Sequence, residues 1–78
     1  MKPEDRYLKF VSWSEDDRSY LGYCPDLFPW GGVCHGSTAE TAYRKLRLLV
    51  RDEVGQLSRQ RQALPPANTR PMRDAVMA

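Results

Sequence analysis

One series of apolar side chains constrains the fold of this chain more than any other feature of its sequence. Between residues 39 and 57 the apolar residues recur at helical spacing, at Ala39, Ala42, Tyr43, Leu46, Leu49, Val50, Val54 and Leu57. At roughly 100° per residue they occupy one side of a helix, an arc about 140° wide. The pattern predicts a long amphipathic helix whose apolar side packs against the rest of the domain.

The residues before this series carry the signals of a helix start. Ser37 and Glu40 have the spacing of a capping box, and Thr38 is an equally good cap, so the sequence leaves the first residue open by one position. Gly55 weakens the helix interior, but Leu57 returns to the apolar side. We therefore predict a helix that extends to about residue 60, before Leu64-Pro65-Pro66 ends all regular structure.

The first part of the chain is typical of a β-hairpin followed by a short strand. Residues 6–14 are dense in aromatic and β-branched side chains, which favours a strand. The charged residues 15–18 suit a solvated turn, and residues 19–24 form the natural return strand, which ends at Pro25. Residues 33–35 are long enough for a third strand. Large apolar groups occupy both sides of the first strand, so alternation does not identify the side that faces the core.

The segment 25–32 combines two prolines and two adjacent glycines with the apolar residues Leu27, Phe28 and Trp30. Its composition predicts a loop, and surface loops are usually polar. An apolar loop either folds into the core or contacts another molecule. We expect this loop to fold into the core, with contact to a partner as the alternative.

Length and charge limit the classes of protein to which the chain can belong. Its 78 residues allow one small domain, and 12 basic against 10 acidic side chains show no overall excess of positive charge for nucleic acid or anionic membrane. The N-terminus has no apolar stretch after its first charges, and no apolar run is long enough to span a bilayer. We expect a cytoplasmic protein with free thiols at Cys24 and Cys34, stabilised in part by a partner.

The sequence contains no strong candidate for a metal-binding or catalytic site. Cys24, Cys34, His35 and Asp26 are the available zinc ligands, but the cysteines are ten residues apart and lack the close pairing of structural zinc sites. Cys34 and His35 are neighbours in sequence, a poor arrangement for a nucleophile and its base. We expect no catalytic residues, no metal and no cofactor, and we keep an enzyme or metalloprotein as the third hypothesis.

Three arginines form a stripe beside the apolar side of the predicted helix. Arg44, Arg47 and Arg51 follow Glu40 at spacings of four, three and four residues, with Glu40 and Arg44 in the favourable orientation for an ion pair. Such a stripe can contact phosphates, although charged flanks are also normal on solvated helices. Residues 1–36 have a net charge of −2 and residues 37–78 of +4, so the helical half is the basic one. Binding of RNA or DNA through these arginines is the alternative function.

The order of these elements and several short motifs resemble the HicB antitoxin family over residues 7–66. The residues that carry the resemblance are Tyr7, Glu15-Asp16-Asp17, Gly22-Tyr23, Pro25-Asp26-Leu27, Gly36, Thr38, Glu40, Ala42 and Leu64-Pro65. The chain departs from the family in the segment 25–32, which we call the aromatic loop: Gly36 comes eleven residues after Pro25, a two-residue insertion. Many members also have a C-terminal DNA-binding domain. Only twelve residues follow Pro66, so we expect none here.

The resemblance implies an α+β fold of the partial RNase H type. An antiparallel sheet of three or four strands would have one helix packed on one face, in the order β-β-β-α-β. We expect the domain to comprise residues 1–66, and residues 67–78, which have no sustained pattern, to form a flexible tail. The family's role is to bind and neutralise HicA, a small toxin that cleaves mRNA. The predicted first strand contains no acidic residue, whereas RNase H chemistry needs clustered carboxylates around two metal ions. The resemblance thus implies a fold relative without nuclease activity.

One helix can cover only one side of such a sheet, so an apolar side is left for a partner. We expect the exposed aromatic residues to be either Tyr7 with Trp13, or Phe10 with Tyr20. A HicA-like toxin or a second copy of the chain would cover them, and a homodimer is the favoured assembly. The candidate interface residues are Tyr7, Trp13, Tyr20, Asp26, Phe28 and Trp30.

Overall fold

A three-stranded antiparallel sheet with one helix packed against it forms the architecture of residues 2–69, the part of the chain that the computed structural model describes. Strand β1 comprises Phe10–Ser14, β2 Ser19–Tyr23 and β3 Cys34–Gly36, and the helix α1 comprises Ala39–Arg59. A short 3₁₀ helix, Pro3–Arg6, precedes the sheet. The α+β class and the packing of a single helix on the sheet confirm the sequence prediction.

The predicted hairpin joins β1 to β2 through a four-residue turn. Phe10 lies opposite Tyr23 and Ser14 lies opposite Ser19. The Ser14 hydroxyl donates a hydrogen bond to the Asp17 carboxylate over 2.8 Å, and the Asp17 amide donates to the Ser14 oxygen over 3.3 Å. β3 pairs antiparallel with β2 on the other side, so β2 is the central strand.

The first strand begins later than predicted, because the chain before it turns into the core. Pro3, whose ring fixes φ, stands at the start of the 3₁₀ helix. Tyr7 is only 2% exposed, and its hydroxyl donates a hydrogen bond to the Pro65 carbonyl oxygen over 2.6 Å. The expectation that Tyr7 belongs to an exposed sheet surface is therefore wrong: the residue is part of the core.

The N-cap of α1 is Thr38, one of the two caps that the sequence allowed. The Thr38 hydroxyl accepts a hydrogen bond from the Thr41 amide over 3.1 Å. The buried stripe is Ala42, Leu46, Val50 and Val54, one residue from each turn. It is narrower than the predicted apolar side, because Tyr43 and Leu49 remain exposed at its borders.

Two glycines allow the helix to approach the sheet closely. A Cβ atom on Gly22 would lie 2.7 Å from the Cys34 sulfur and 3.2 Å from the Leu46 Cβ. A Cβ atom on Gly36 would lie 2.7 Å from the backbone nitrogen of Ala42. These contacts place β2, β3 and the first turns of α1 in direct contact on one side of the sheet.

The second half of the helix is covered by the aromatic loop and by the chain that follows the helix. Leu27 and Phe28 belong to the same buried cluster as Val54, and Leu64 packs against it. The prediction that the loop folds into the core is confirmed for Leu27 and Phe28, whereas Trp30 is 74% exposed. Residues 60–69 form no strand, so the last strand of the expected order is not found there. Most of the predicted tail, residues 70–78, lies outside the described residues.

Candidate functional site

The side of the sheet that faces away from α1 is the first candidate site. In an antiparallel sheet, residues directly opposite each other project to the same side. Gly22 and Cys34 contact the helix, so their side is the covered one. The register assigns these residues to the other side: Phe10, Ser12, Ser14, Ser19, Leu21, Tyr23 and His35. We call this surface the open face.

The open face has an aromatic centre. The rings of Phe10 and Tyr23 stack at 4.9 Å between centroids with planes 11° apart, and Phe10 is 41% exposed. Leu21 follows on the central strand, where it lies across from Ser12 and His35. An aromatic pair left partly in water and bordered by serines and a histidine has the layout of a small interface, with an apolar centre and a polar rim.

Trp13 and Tyr20 lie on the helix side of the sheet, at its hairpin end. Their rings meet edge to face at 5.1 Å, and the Trp13 indole donates a hydrogen bond to the Glu15 carboxylate over 3.1 Å. Trp13 is nevertheless 46% exposed. The predicted combinations of exposed aromatic residues are therefore wrong: Phe10 shares its face with Tyr23, and Tyr20 shares the opposite face with Trp13.

The other three candidate interface residues belong to the aromatic loop: Asp26, Phe28 and Trp30. Phe28 is buried, and the exposed Trp30 ring meets it edge to face at 5.6 Å. The Asp26 carboxylate accepts hydrogen bonds from the Thr69 amide over 3.2 Å and from its hydroxyl over 3.0 Å. Asp26 thus binds the segment that follows α1.

The candidate interface residues predicted from the sequence did not include Leu21 and Tyr23, although the sequence contains a signal for the position of Tyr23. A hairpin whose turn occupies residues 15–18 pairs Ser14 with Ser19, and the same register pairs Phe10 with Tyr23. Counting outward from the turn would have placed the two aromatic rings together.

The cysteines and the histidine do not form a reactive cluster. Burial raises the pKa of both the Cys24 and the Cys34 thiol, which keeps them protonated at neutral pH. The Cys34 thiol donates a hydrogen bond to the Ala42 carbonyl over 3.4 Å, and His35 is exposed. Within residues 2–69 no three His, Cys, Asp or Glu side chains are grouped so as to hold a metal ion. In the same part of the chain, no helix is both long and apolar enough to cross a membrane.

A groove between the 3₁₀ helix and α1 is the second candidate site. Its volume is about 300 Å³, and five of the side chains that line it are basic: Lys2, Lys9, Arg44, Arg47 and Arg51. Two acidic side chains, Glu4 and Asp5, also border it, which leaves a net charge of +3. We call it the basic groove. It contains all three arginines of the predicted stripe.

Most of this positive charge is not neutralised by neighbouring carboxylates. The predicted ion pair between Glu40 and Arg44 does not form, and within residues 2–69 the only salt bridge joins Arg51 to Asp52 over 3.8 Å at the exposed surface. A pair of this kind contributes little to stability. The guanidinium groups of Arg44 and Arg47 are thus available to an external anion.

No protein-family model matches the chain, and searches of the curated proteins and of the solved structures also find no match.

Proposed function

We propose that this domain is a non-catalytic, HicB-like antitoxin module that binds a HicA-type toxin in the cytoplasm and thereby blocks mRNA cleavage. The open face is the observation that carries the proposal. A sheet with a helix on one side and a stacked aromatic pair on the other has an apolar surface whose burial by a partner is favourable.

The charge next to the open face supports a basic partner. The hairpin turn places three consecutive acidic residues, Glu15-Asp16-Asp17, at one end of β1 and β2. A toxin that binds RNA needs a basic surface, and complementary charges speed association and orient the partners. The open face would supply the apolar contact and the hairpin the electrostatic attraction.

The absence of acidic side chains from β1 supports a binding role over a nuclease role. RNase H-type catalysis depends on carboxylates that hold two metal ions, and β1 consists of Phe10, Val11, Ser12, Trp13 and Ser14. In the proposed relationship, the three strands and α1 correspond to the β-β-β-α part of the partial RNase H fold. The domain would retain the framework of that fold and use its sheet for contact with a partner.

Co-expression tests the proposal directly. The chain is produced together with a HicA-type toxin, and we expect rescue of growth and co-purification of the toxin. The Phe10→Thr/Tyr23→Thr variant keeps side chains that favour strands but removes both rings. It should weaken toxin binding at least about tenfold and abolish the rescue, because aromatic residues at the centre of an interface contribute most to affinity. Leu48→Gln, a change at a similarly exposed apolar residue on α1, is the matched control.

Two outcomes would contradict the proposal. One is a strictly monomeric chain that neither rescues growth nor co-purifies with a toxin. The other is unchanged toxin binding by the folded Phe10→Thr/Tyr23→Thr variant. Dimerisation of the chain alone, lost in the same variant, would instead assign the open face to a second copy.

A further inference from the structure

Arg44 and Arg47 lie between two neighbouring grooves on the flank of α1. One is the basic groove. The other is lined by Val11, Ala39, Glu40 and Tyr43, and it shares both arginines. The Tyr43 ring is 39% exposed, although it belongs to the amphipathic helix. An aromatic ring and cationic side chains are thus adjacent on the helix side of the sheet, opposite the open face.

The positive charge of the molecule is concentrated at this surface. The lining of the basic groove has a net charge of +3, whereas the whole chain has +2. Lys9 is held in place, because its ammonium group donates hydrogen bonds to the carbonyl oxygens of Glu4 and Tyr7 over 3.1 and 3.0 Å. A fixed cation next to the arginines strengthens the attraction for an anion.

The spacing of the arginines fits a chain of phosphates. Arg44 and Arg51 are seven residues apart, which corresponds to about 10.5 Å along the helix axis. Three guanidinium groups spread over this length can each contact a phosphate of one extended strand. An exposed aromatic ring beside such a groove provides a surface on which a base stacks.

We propose that this flank of α1 binds single-stranded nucleic acid, with phosphates against Arg44, Arg47 and Arg51 and a base stacked on Tyr43. The exposed ring favours a nucleic acid over an acidic protein segment, which has no base to stack. A membrane surface is disfavoured, because the apolar stripe of α1 is buried against the rest of the domain. The site is independent of the proposed contact between the open face and a toxin.

Fluorescence anisotropy of the full chain tests this site, with labelled RNA and DNA oligonucleotides of mixed sequence, about 12 nucleotides long. Three phosphate contacts predict a slope of about −2 for the logarithm of the association constant against the logarithm of salt concentration. The affinity should therefore fall roughly 20-fold between about 50 and 200 mM salt. Absence of binding at the lower salt concentration, or a slope shallower than about −1, would overturn the proposal.

Two triple variants with the same loss of charge locate the site. Arg44→Gln/Arg47→Gln/Arg51→Gln keeps residues that favour a helix and removes the stripe. It should reduce the salt dependence nearly to zero while toxin binding stays unchanged. The control, Arg18→Gln/Arg59→Gln/Arg61→Gln, removes three charges outside both grooves and should bind as the original chain does. Equal losses in the two variants would show that only total charge matters and would overturn the proposal.

Stacking is tested separately at Tyr43. Tyr43→Leu should weaken binding about tenfold, whereas Tyr43→Phe, which keeps the aromatic ring, should retain the affinity. Circular dichroism confirms that each variant is folded, and the single variants Arg44→Gln and Arg47→Gln serve if the triple variant is not. Preferential binding of a duplex of equal length, of a polyglutamate peptide or of vesicles containing phosphatidylserine would assign the groove to another ligand and contradict the proposal.

Discussion

At the scale of single residues, Gly36 shows how the absence of a side chain determines the distance between sheet and helix. An added Cβ atom would lie 2.7 Å from the nitrogen and 3.1 Å from the Cα of Ala42, and 3.2 Å from the Thr38 carbonyl oxygen. These are backbone atoms at the helix start, which cannot move without disturbing the cap. We expect Gly36→Ala to lower the free energy of unfolding by about 1–3 kcal/mol, measured by urea denaturation.

Gly55 is the matched control, because it lies in the interior of α1 with free space around it. Its added Cβ atom would meet only the end of the flexible Arg59 side chain, at 3.4 Å. Gly55→Ala should raise the free energy of unfolding by about 1 kcal/mol, since alanine favours the helix. Destabilisation by both substitutions would show that the contact of Gly36 with the helix start is not the cause.

At the scale of elements, the start of α1 distinguishes the two caps that the sequence left open. The Thr38 hydroxyl accepts the hydrogen bond of the Thr41 amide, and Ser37 is exposed outside the helix. Thr38→Ala should therefore lower the free energy of unfolding by about 1 kcal/mol, whereas Ser37→Ala should leave it nearly unchanged. Thermal denaturation of both variants checks this, and the reverse order of stabilities would contradict the assigned cap.

The helix also shows what the apolar pattern could and could not predict. Periodicity correctly predicted the length of α1, because the stripe from Ala42 to Val54 continues over four turns. It could not predict that Tyr43 and Leu49 would remain exposed. A three-stranded sheet with a short third strand is narrow, and it covers only the central row of the apolar side.

At the scale of the whole molecule, the segment after α1 closes the core opposite the hairpin. The Tyr7 hydroxyl binds this segment at Pro65, and the Asp26 carboxylate binds it at Thr69. We expect Asp26→Ala to accelerate hydrogen exchange of the Thr69 amide several-fold, because that amide loses its acceptor. Exchange in β1 and β2 should not change.

Asp16→Ala, which removes a carboxylate at the exposed hairpin, serves as the control for this measurement. An unchanged rate at Thr69 in the Asp26→Ala variant would show that the carboxylate does not hold the segment. A matching acceleration in both variants would point to an effect of charge rather than to the hydrogen bonds of Asp26.

The molecule also separates its two candidate surfaces by charge and by side. The aromatic open face and the acidic hairpin belong to the sheet, whereas the basic groove runs along the helix. The sequence contained this division as a difference between its two halves, −2 against +4. The fold converts that difference into two distinct surfaces.

Local signals along the chain were sufficient to determine the hairpin, its turn and the helix. Enrichment in aromatic and β-branched residues, turn residues and the helical repeat each act over a few consecutive residues. The tertiary structure alone decided which side of the sheet is covered, because both sides of β1 carry large apolar groups. It also turned Tyr7 inward, where the hydroxyl contacts Pro65, 58 positions along the chain. It joined Asp26 to Thr69, which are 43 positions apart. Pairings at that distance depend on how the helix and the loop pack, and no short-range pattern encodes them.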